Sequence, residues 1–474
     1  MSEREQTAST QAPDGARRIA RRTFLRYAGL AGGVALAAAC APTTPPPQTT
    51  AQKPSAPAAP ATTAAPAAPA AAPAASPAPA ATSAPAAAKP AAGEIVIGLV
   101  HPLSGAVAYE GNLVNNGCLF RLEEANAAGG IKSMGGAKIR TIVGDSQAKP
   151  EIGQAETERL IREGAVAILG AFQSAVTFVT TQVAEQKQIP HVVSVAVADD
   201  ITMRGFKFTF RQQPNSETMA KLGIASVSEL VGGAGGKDNK VVIVHEDTLQ
   251  GVTMGKYMEE AISKGGGALN IVDTLSYKAT ASDFTTEASR VKALQADVFL
   301  INGYYGDTVL WMKTLRDLQV DFKAIVGLPN PALSNPKFVK DEPKLAEYMM
   351  DTNYWWDPNS DRARSVRDAW QKKYNEPMTN HSVTAYTSAD VLVDALERAG
   401  STDAEKLRDA LSKTKLTNIV MPGSSVEFNE RGENVNAQPL LLQIQKSEIT
   451  PIGPSKYAAA KPIFPIPPLA ERMG

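Results

Sequence analysis

The stretch KVVIVH at residues 240–245 decides the fold, since so uniformly apolar a strand requires cover on both faces. A helical pattern follows at 251–264, and another β-branched run follows at 268–275. Val298–Ile301 repeats the fully apolar strand pattern farther along the chain. This alternation predicts a parallel β-sheet with helices packed on both of its faces.

The same alternation extends outward in both directions from this stretch. Towards the N-terminus, strands are predicted at 94–99, 138–144, 165–170 and 189–195, with helices at 112–127, 150–163, 174–188 and 216–231. Towards the C-terminus, helices are predicted at 284–294 and 307–318, with strands at 297–302 and 323–327. Two successive units of this kind predict two doubly wound α/β lobes. Ligands of such sheets bind beyond the carboxyl ends of the strands, so the cleft between the lobes is the expected site.

Residues 1–40 have the pattern of an export signal. A basic segment containing Arg21 and Arg22 precedes a short apolar run at 27–39, which ends in small residues before Cys40. The arginine pair resembles a twin-arginine signal, and the end of the run resembles a lipoprotein cleavage site. We expect Cys40 to become the lipidated N-terminus of the mature chain.

Residues 41–92 consist almost entirely of Ala, Pro, Thr and Ser. A segment of this composition cannot bury a core, and it predicts a disordered tether that favours the polyproline conformation. At about 3.1 Å per residue, its fully extended reach is on the order of 150 Å. The tether would hold a globular module away from the membrane.

Composition and charge exclude several classes of protein. The 474 residues contain 48 basic and 48 acidic side chains, and this balance argues against a nucleic-acid partner. Besides Cys40 the sequence has one cysteine, Cys118, which falls in a helical pattern and is expected to be a small buried side chain. No apolar run is long enough for a mature membrane span.

Motifs of catalysis are missing from the sequence. Its four histidines, at 101, 191, 245 and 381, have no metal-ligand spacing. It contains no nucleophile elbow, no phosphate-binding loop and no dinucleotide fingerprint. The sequence therefore predicts a binding protein without metal or cofactor, not an enzyme.

Several motifs together resemble a known family. They are IGLVHPLSG at 97–105, NAAGGI at 126–131, Asp145, the segment 196–205 followed by Phe210-Arg211, Ala296–Val298 with Gly303-Tyr304, and Thr384–Tyr386. They resemble the leucine/isoleucine/valine-binding proteins of ABC importers, in order, from about residue 94 to 445. The resemblance implies a type I periplasmic-binding fold with three hinge crossings, near Gln213, Asn353 and Ser425. The first lobe would comprise 93–213 and 354–424, and the second 214–353 and 425–474.

The resemblance also implies ligand contacts. Ser174 corresponds to the serine that binds a ligand carboxylate, although a plain helix N-cap would also explain it. Tyr304 corresponds to a cleft tyrosine of the second lobe, with a core tyrosine as the alternative. Val195 and Val197 lie on a loop that presents backbone groups, but Val197 lacks the family's threonine hydroxyl.

Other positions depart from the family. The run at 327–331 has no acid where the family places a carboxylate for the ligand's ammonium, so either another acid serves or the ligand has no ammonium. Glu110, beside Tyr109, is the best substitute, with a solvated loop carboxylate as the alternative. Gln250 is expected at the rim of the second lobe. Trp355 would stack on a ligand or pack the hinge, and His381 would form a polar wall where the family has an apolar residue.

Three functional hypotheses follow. The chain would deliver a branched-chain or other aliphatic amino acid to an ABC permease with its ATPase, or bind an amide, urea-like compound or aromatic carboxylate in the same fold. As a third hypothesis, it would be a ligand-sensing receptor for a signalling partner. In each case we expect an exported monomer, bound by its lipid to the outer face of the cytoplasmic membrane.

Overall fold

The computed structural model describes residues 93–233, 238–265 and 267–474. The predicted signal at 1–40, with Arg21, Arg22 and Cys40, and the predicted tether at 41–92 lie outside the described residues. No helix in these described ranges is both long and apolar enough to cross a membrane.

Fourteen strands and thirteen α-helices are present in the described residues. The chain begins with β1 (Glu94–His101), α1 (Ala108–Ala127), β2 (Lys138–Asp145), α2 (Pro150–Arg162), β3 (Ala167–Gly170), α3 (Ser174–Gln186), β4 (His191–Val193) and β5 (Thr209–Arg211). It continues with α4 (Ser216–Gly233), β6 (Asn239–Glu246), α5 (Leu249–Gly265), β7 (Leu269–Tyr277), α6 (Thr285–Leu294), β8 (Val298–Asn302), α7 (Tyr305–Asp317), β9 (Ala324–Gly327), α8 (Pro336–Asp341), α9 (Pro343–Ala346) and β10 (Met350–Asn353). It ends with α10 (Asp361–Tyr374), α11 (Asn380–Ala399), α12 (Ala404–Ser412), β11 (Lys415–Leu416), β12 (Val426–Glu427), β13 (Leu440–Gln445), β14 (Glu448–Gly453) and α13 (Leu469–Met473).

The first sheet is parallel throughout and has the order β2-β1-β3-β4-β5. Alternate residues of β1 face opposite sides, as the pleat of a strand requires. Ile97 belongs to the large core cluster that includes Val114 of α1. Val100 belongs to a separate cluster with Leu160 of α2 and Val176 of α3. Helices therefore cover both faces of the sheet, as the apolar strands predict.

The second sheet has the order β14-β13-β10-β9-β8-β6-β7. Strands β6 to β10 pair in parallel, whereas β13 and β14 are antiparallel to their neighbours. The reversal is a tight hairpin, in which Lys446 and Ser447 both have positive φ angles, of 56° and 62°. Two such residues give the turn whose twist matches paired strands. This antiparallel edge is absent from the predicted secondary structure.

The prediction of two α/β lobes of the type I periplasmic-binding fold is confirmed by the two sheets. The chain passes between them after β5, after β10 and before β13. On the last passage Glu433 still forms a bridge with Arg211 of the first sheet before the chain joins β13. The residue-level limits of the lobes, 93–213 with 354–424 and 214–353 with 425–474, stay a prediction.

Helix α1 begins at Ala108, four residues earlier than its pattern predicts, and its start carries two candidate site residues. Cys118 in the same helix is fully buried, as expected, and lies 3.7 Å from the Ser194 hydroxyl. Burial raises the pKa of its thiol to about 12. A thiol held in the protonated form is a packing group and not a nucleophile.

Candidate functional site

A cavity lies at the carboxyl ends of the strands, between the two lobes. Its first-lobe wall consists of Phe172, Val195, Ala196, Val197 and His381. Its second-lobe wall consists of Gln250, Gly303, Tyr304 and the segment 329–331. Asn353 and Tyr354 line it where the chain passes from β10 towards α10. Among these described residues there is no Asp, Glu, Lys or Arg.

The loop after β4 forms much of the first wall, and its carbonyls are held by neighbouring side chains. Arg211 donates to the carbonyls of Ala196 and Ala198, at 3.3 and 2.7 Å. The Val197 carbonyl accepts hydrogen bonds from the backbone and the side chain of Ser216, at 2.9 and 3.0 Å. None of these bonds uses the Val195 carbonyl or the N–H groups of Ala196 and Val197.

Arg211 anchors this loop from behind. Its guanidinium is fully buried and forms a bidentate ion pair with Glu433, with an Nε–Oε2 distance of 3.1 Å. A buried charge is tolerated when it is paired and its donors are occupied, and both conditions hold here. The loop is therefore fixed before any ligand enters.

Tyr304 forms the centre of the opposite wall. It follows β8 as the residue before α7, and its ring centroid lies 6.0 Å from that of Phe172 across the cavity. Its hydroxyl lies 3.4 Å from the Thr248 hydroxyl, and burial raises the pKa of the phenol well above its usual value. The phenol is thus a neutral donor and acceptor close to the cavity.

The two asparagine amides in the cavity wall are occupied by their own lobe. The Asn330 side chain donates to Thr308 and accepts from Ala332 N–H, at 2.8 and 2.9 Å. Asn353 Nδ2 donates to Asp351, at 2.8 Å, and to the Asn330 carbonyl, at 3.2 Å. These amides hold the wall in shape, and their side chains offer little to a ligand.

His381 is different, because one of its ring nitrogens has no hydrogen-bond partner among the described residues. It lies in the first turn of α11, is 2% exposed, and its ring centroid is 4.9 Å from that of Phe172. Its buried Nδ1 hydrogen-bonds to no described residue. Burial lowers the pKa of His381 to about 3, so the ring is neutral at physiological pH. A neutral imidazole can donate one hydrogen bond and accept another.

Contacts between the lobes close the cavity at the start of α1. The Glu110 carboxyl accepts a hydrogen bond from Tyr305 N–H, at 3.1 Å. The Tyr109 hydroxyl donates to Asn335 Oδ1, also at 3.1 Å, and its ring packs on Tyr305 at 5.3 Å. Both residues therefore bridge the lobes and do not line the cavity.

Five of the predicted site residues line the cavity: Val195, Val197, Gln250, Tyr304 and His381. Ser174 lies behind the first wall, where its hydroxyl accepts from Ala198 N–H at 3.3 Å. Trp355 also lies outside the lining, packed in a cluster with Leu440, Leu442 and Tyr457. The ligand roles of all these residues stay predictions.

Sequence reasoning missed Phe172, Asn330 and Asn353 as members of the wall. Phe172 and Asn330 follow strand ends in the predicted sheets, and that position is the signal that would have found them. Tyr354 is one residue before the tryptophan that was predicted, and neighbouring extended residues face opposite sides. Among the described residues no cluster of side chains is suited to holding a metal ion.

A cavity between two α/β lobes is the arrangement of a two-lobed solute-binding protein. The profile of the periplasmic binding protein family matches residues 94–447, and the chain belongs to that family. Among its relatives is the Leu/Ile/Val-binding protein homolog 7 of Brucella suis biovar 1 (strain 1330), 28% identical over 385 residues. The alignment covers 79% of this chain and 95% of that protein.

Solved structures show the same fold. The branched-chain amino acid transporter substrate binding protein LivJ of Streptococcus pneumoniae, in complex with isoleucine, is similar with a TM-score of 0.65 at 20% identity, covering 75% of this chain and 97% of that one. A solute binding protein of an ABC transporter from Rhodopseudomonas palustris BisB5, in complex with 3,4-dihydroxybenzoic acid, has a TM-score of 0.66 at 19% identity. It covers 78% of this chain and 99% of that chain.

Proposed function

We propose that this chain is the extracytoplasmic solute-binding component of an ABC importer, which captures a small solute between its lobes and presents it to a permease with its ATPase. The observation that carries the proposal is the cavity at the strand ends, built from both lobes and from the crossing between them. Small ligands bind preferentially in clefts of this kind, where a few polar groups converge.

Hinge closure is the proposed mechanism. A ligand would bind first to the fixed loop at 195–197 and then draw in Tyr304 of the second lobe. The cross-lobe bonds of Tyr109 and Glu110 would form only on closing, so ligand would shift the population towards the closed form. The permease would recognise that closed form.

Two classes of ligand are candidates. Relatives named for leucine, isoleucine and valine support an aliphatic amino acid. The uncharged lining of the cavity favours instead a solute without an amino group, such as an amide or a carboxylic acid. The two classes differ by one ammonium group.

The decisive measurement for the function is capture of a small solute with closure of the lobes. The chain is titrated with amino acids, amides and carboxylic acids, binding is followed by thermal shift, and the radius of gyration is followed by X-ray scattering. At least one solute should raise the melting temperature and reduce the radius of gyration together. Binding of none of the classes would refute the proposed function.

Anchoring by lipid on Cys40 is the second part of the proposal, supported by the sequence of 1–40. In a bacterial host, Cys40→Ser should move the chain from the membrane fraction to the soluble extracytoplasmic fraction. Replacing Arg21 and Arg22 by Lys should instead retain the chain inside the cell, since the arginine pair directs export. Membrane retention of the Cys40→Ser chain would disprove the anchor.

A further inference from the structure

The charged side chains nearest the cavity lie behind its walls, and their polar atoms are already engaged in hydrogen bonds within the protein. On the second lobe, Asp351 is fully buried, with Oδ1 accepting from Asn330 N–H and Oδ2 accepting from Ser334 and Asn353. Glu246 accepts from the hydroxyl of Thr248 at 2.9 Å and from Gly251 N–H at 2.7 Å.

Two further carboxyls near the cavity are occupied in the same way. Asp307 accepts from the Tyr277 hydroxyl at 2.9 Å and from Thr308 N–H at 2.6 Å. Glu110 accepts from Tyr305 N–H of the opposite lobe. Burial raises the pKa of all four acids, that of Asp307 to about 8 and that of Asp351 to about 7. Carboxyls whose oxygens already accept these hydrogen bonds have little capacity left for an ammonium.

Four helices also begin at the cavity. The lining residues Gln250 and His381 lie in the first turns of α5 and α11, Tyr304 immediately precedes α7, and Phe172 lies two residues before α3. At three of them the first N–H groups are already bonded, to Glu246 at α5, to Glu110 at α7, and to Asn380 and Thr379 at α11. The start of α3 has no side-chain cap, and its partial positive charge opposes a cation and favours an anionic or carbonyl group.

The groups that remain for a ligand are neutral. They are the imidazole of His381, whose buried Nδ1 has no partner among the described residues, the Gln250 amide, the Tyr304 hydroxyl, and the free backbone groups of the loop at 195–197. Such groups can donate to the oxygens of a carboxylate, and they can both donate to and accept from a carboxamide. An ammonium buried among them would lose its hydration without a paired charge, which costs several kcal/mol.

We propose that the cavity selects a small carboxamide or carboxylic acid that lacks an amino group, and that it discriminates against α-amino acids of the same carbon skeleton. The inference rests on the proposed function of solute capture. It follows from the uncharged lining, the four occupied acids and the uncommitted His381.

The test compares each amino acid with an acid and an amide that have the same carbon skeleton and no amino group. L-Leucine, 4-methylpentanoate and 4-methylpentanamide share a skeleton, as do L-phenylalanine, 3-phenylpropanoate and 3-phenylpropanamide, and as do L-alanine, propanoate and propanamide. Calorimetric titration of the full mature chain in detergent should give, for at least one skeleton, an acid or amide that binds at least tenfold more tightly than its amino acid. If only the acid or only the amide binds, the result identifies whether the cavity recognises a carboxylate or a carboxamide.

The outcomes separate this inference from the proposed function. Tighter binding of an amino acid than of its amine-free analogues would overturn the inference and leave solute capture intact. Absence of binding in all three series would count against both.

Gln250→Glu sharpens the test, because it adds a carboxylate to the cavity with little change in shape. We expect the ratio of amino-acid to amine-free affinity to rise at least tenfold. Gln371→Glu, on the exposed face of α10, makes the same charge change away from the cavity and should leave that ratio unchanged. An unaltered ratio in Gln250→Glu would contradict the charge-based selection.

Discussion

The two walls of the cavity differ in the charge that stands behind them. The first-lobe wall is backed by a cation, the buried guanidinium of Arg211, which is held by Glu433. The second-lobe wall is backed by acids, above all Asp351 and Glu246, whose pKa values are raised by burial. Both walls therefore use charge for internal support and present only neutral groups to a ligand.

The two supports differ in kind. Charge-assisted hydrogen bonds of Arg211 to Glu433 and to the Ala198 carbonyl hold the loop at 195–198. Burial raises the pKa of Asp351 to about 7, so the charge behind the second wall depends on pH. Substitution of Arg211 behind the first wall and of Asp351 behind the second wall tests the two supports separately.

The largest effect is expected from Arg211→Met. The substitution leaves the Glu433 carboxylate buried without its partner, and breaking such a pair typically costs about 3–5 kcal/mol in the free energy of unfolding. Urea denaturation measures that loss. As a control, Arg290→Met removes an exposed arginine from its pair with Asp273, and it should cost less than about 1 kcal/mol. Equal losses in the two variants would show that the buried pair has no special role.

The fold follows from the sequence more completely than the site does. Fully apolar strands such as Val241–Val244 must be covered on both faces, which predicts a parallel sheet between two layers of helices. The pattern occurs in two successive units, so it predicts both lobes. The hairpin of β13 and β14 was not predicted, since its turn residues Lys446 and Ser447 carry no usual turn signal. Local pattern is thus reliable where burial enforces it.

The site depends on contacts between distant residues, which periodicity does not reveal. Tyr304 and His381 were predicted from their places in motifs, and both line the cavity. Ser174 was predicted at a helix start, but its hydroxyl points to Ala198 of its own lobe. Whether a side chain faces the ligand or the layer behind the wall depends on contacts with residues far away in the sequence. Ser174 and Ala198, for example, are 24 residues apart.

The next effect in size comes from the acid behind the second wall. Burial raises the pKa of Asp351 from 3.8 to about 7, so between these values the folded chain keeps a proton that the unfolded chain loses. The free energy of unfolding should therefore fall as pH rises through this window, by about 2 kcal/mol between pH 5 and 7. Asp351→Asn should remove that contribution.

The measurement is denaturation of both proteins at several pH values, taken as a difference. Subtraction is needed because burial lowers the pKa of His101, His191 and His381, which makes stability rise with pH over an overlapping range. These histidines are common to both proteins and cancel. A difference between wild type and variant that stays constant with pH would show that Asp351 does not change charge in this range.

The smallest expected effect distinguishes support of the first wall from contact with the ligand. Ser174 accepts one hydrogen bond, from Ala198 N–H, and lies outside the cavity lining. Ser174→Ala should therefore lower the free energy of unfolding by about 1 kcal/mol. Affinity for the captured solute should fall less than about threefold, because the loop keeps its bonds to Arg211 and Ser216.

Ser388→Ala is the matched control, since its hydroxyl donates to the Ala385 carbonyl at 2.7 Å within α11. This variant should lose a similar free energy of unfolding without any change in affinity. A tenfold loss of affinity in Ser174→Ala alone would mean that this hydroxyl contacts the ligand, as the family resemblance implies. The first wall would then bind the ligand's carboxylate directly.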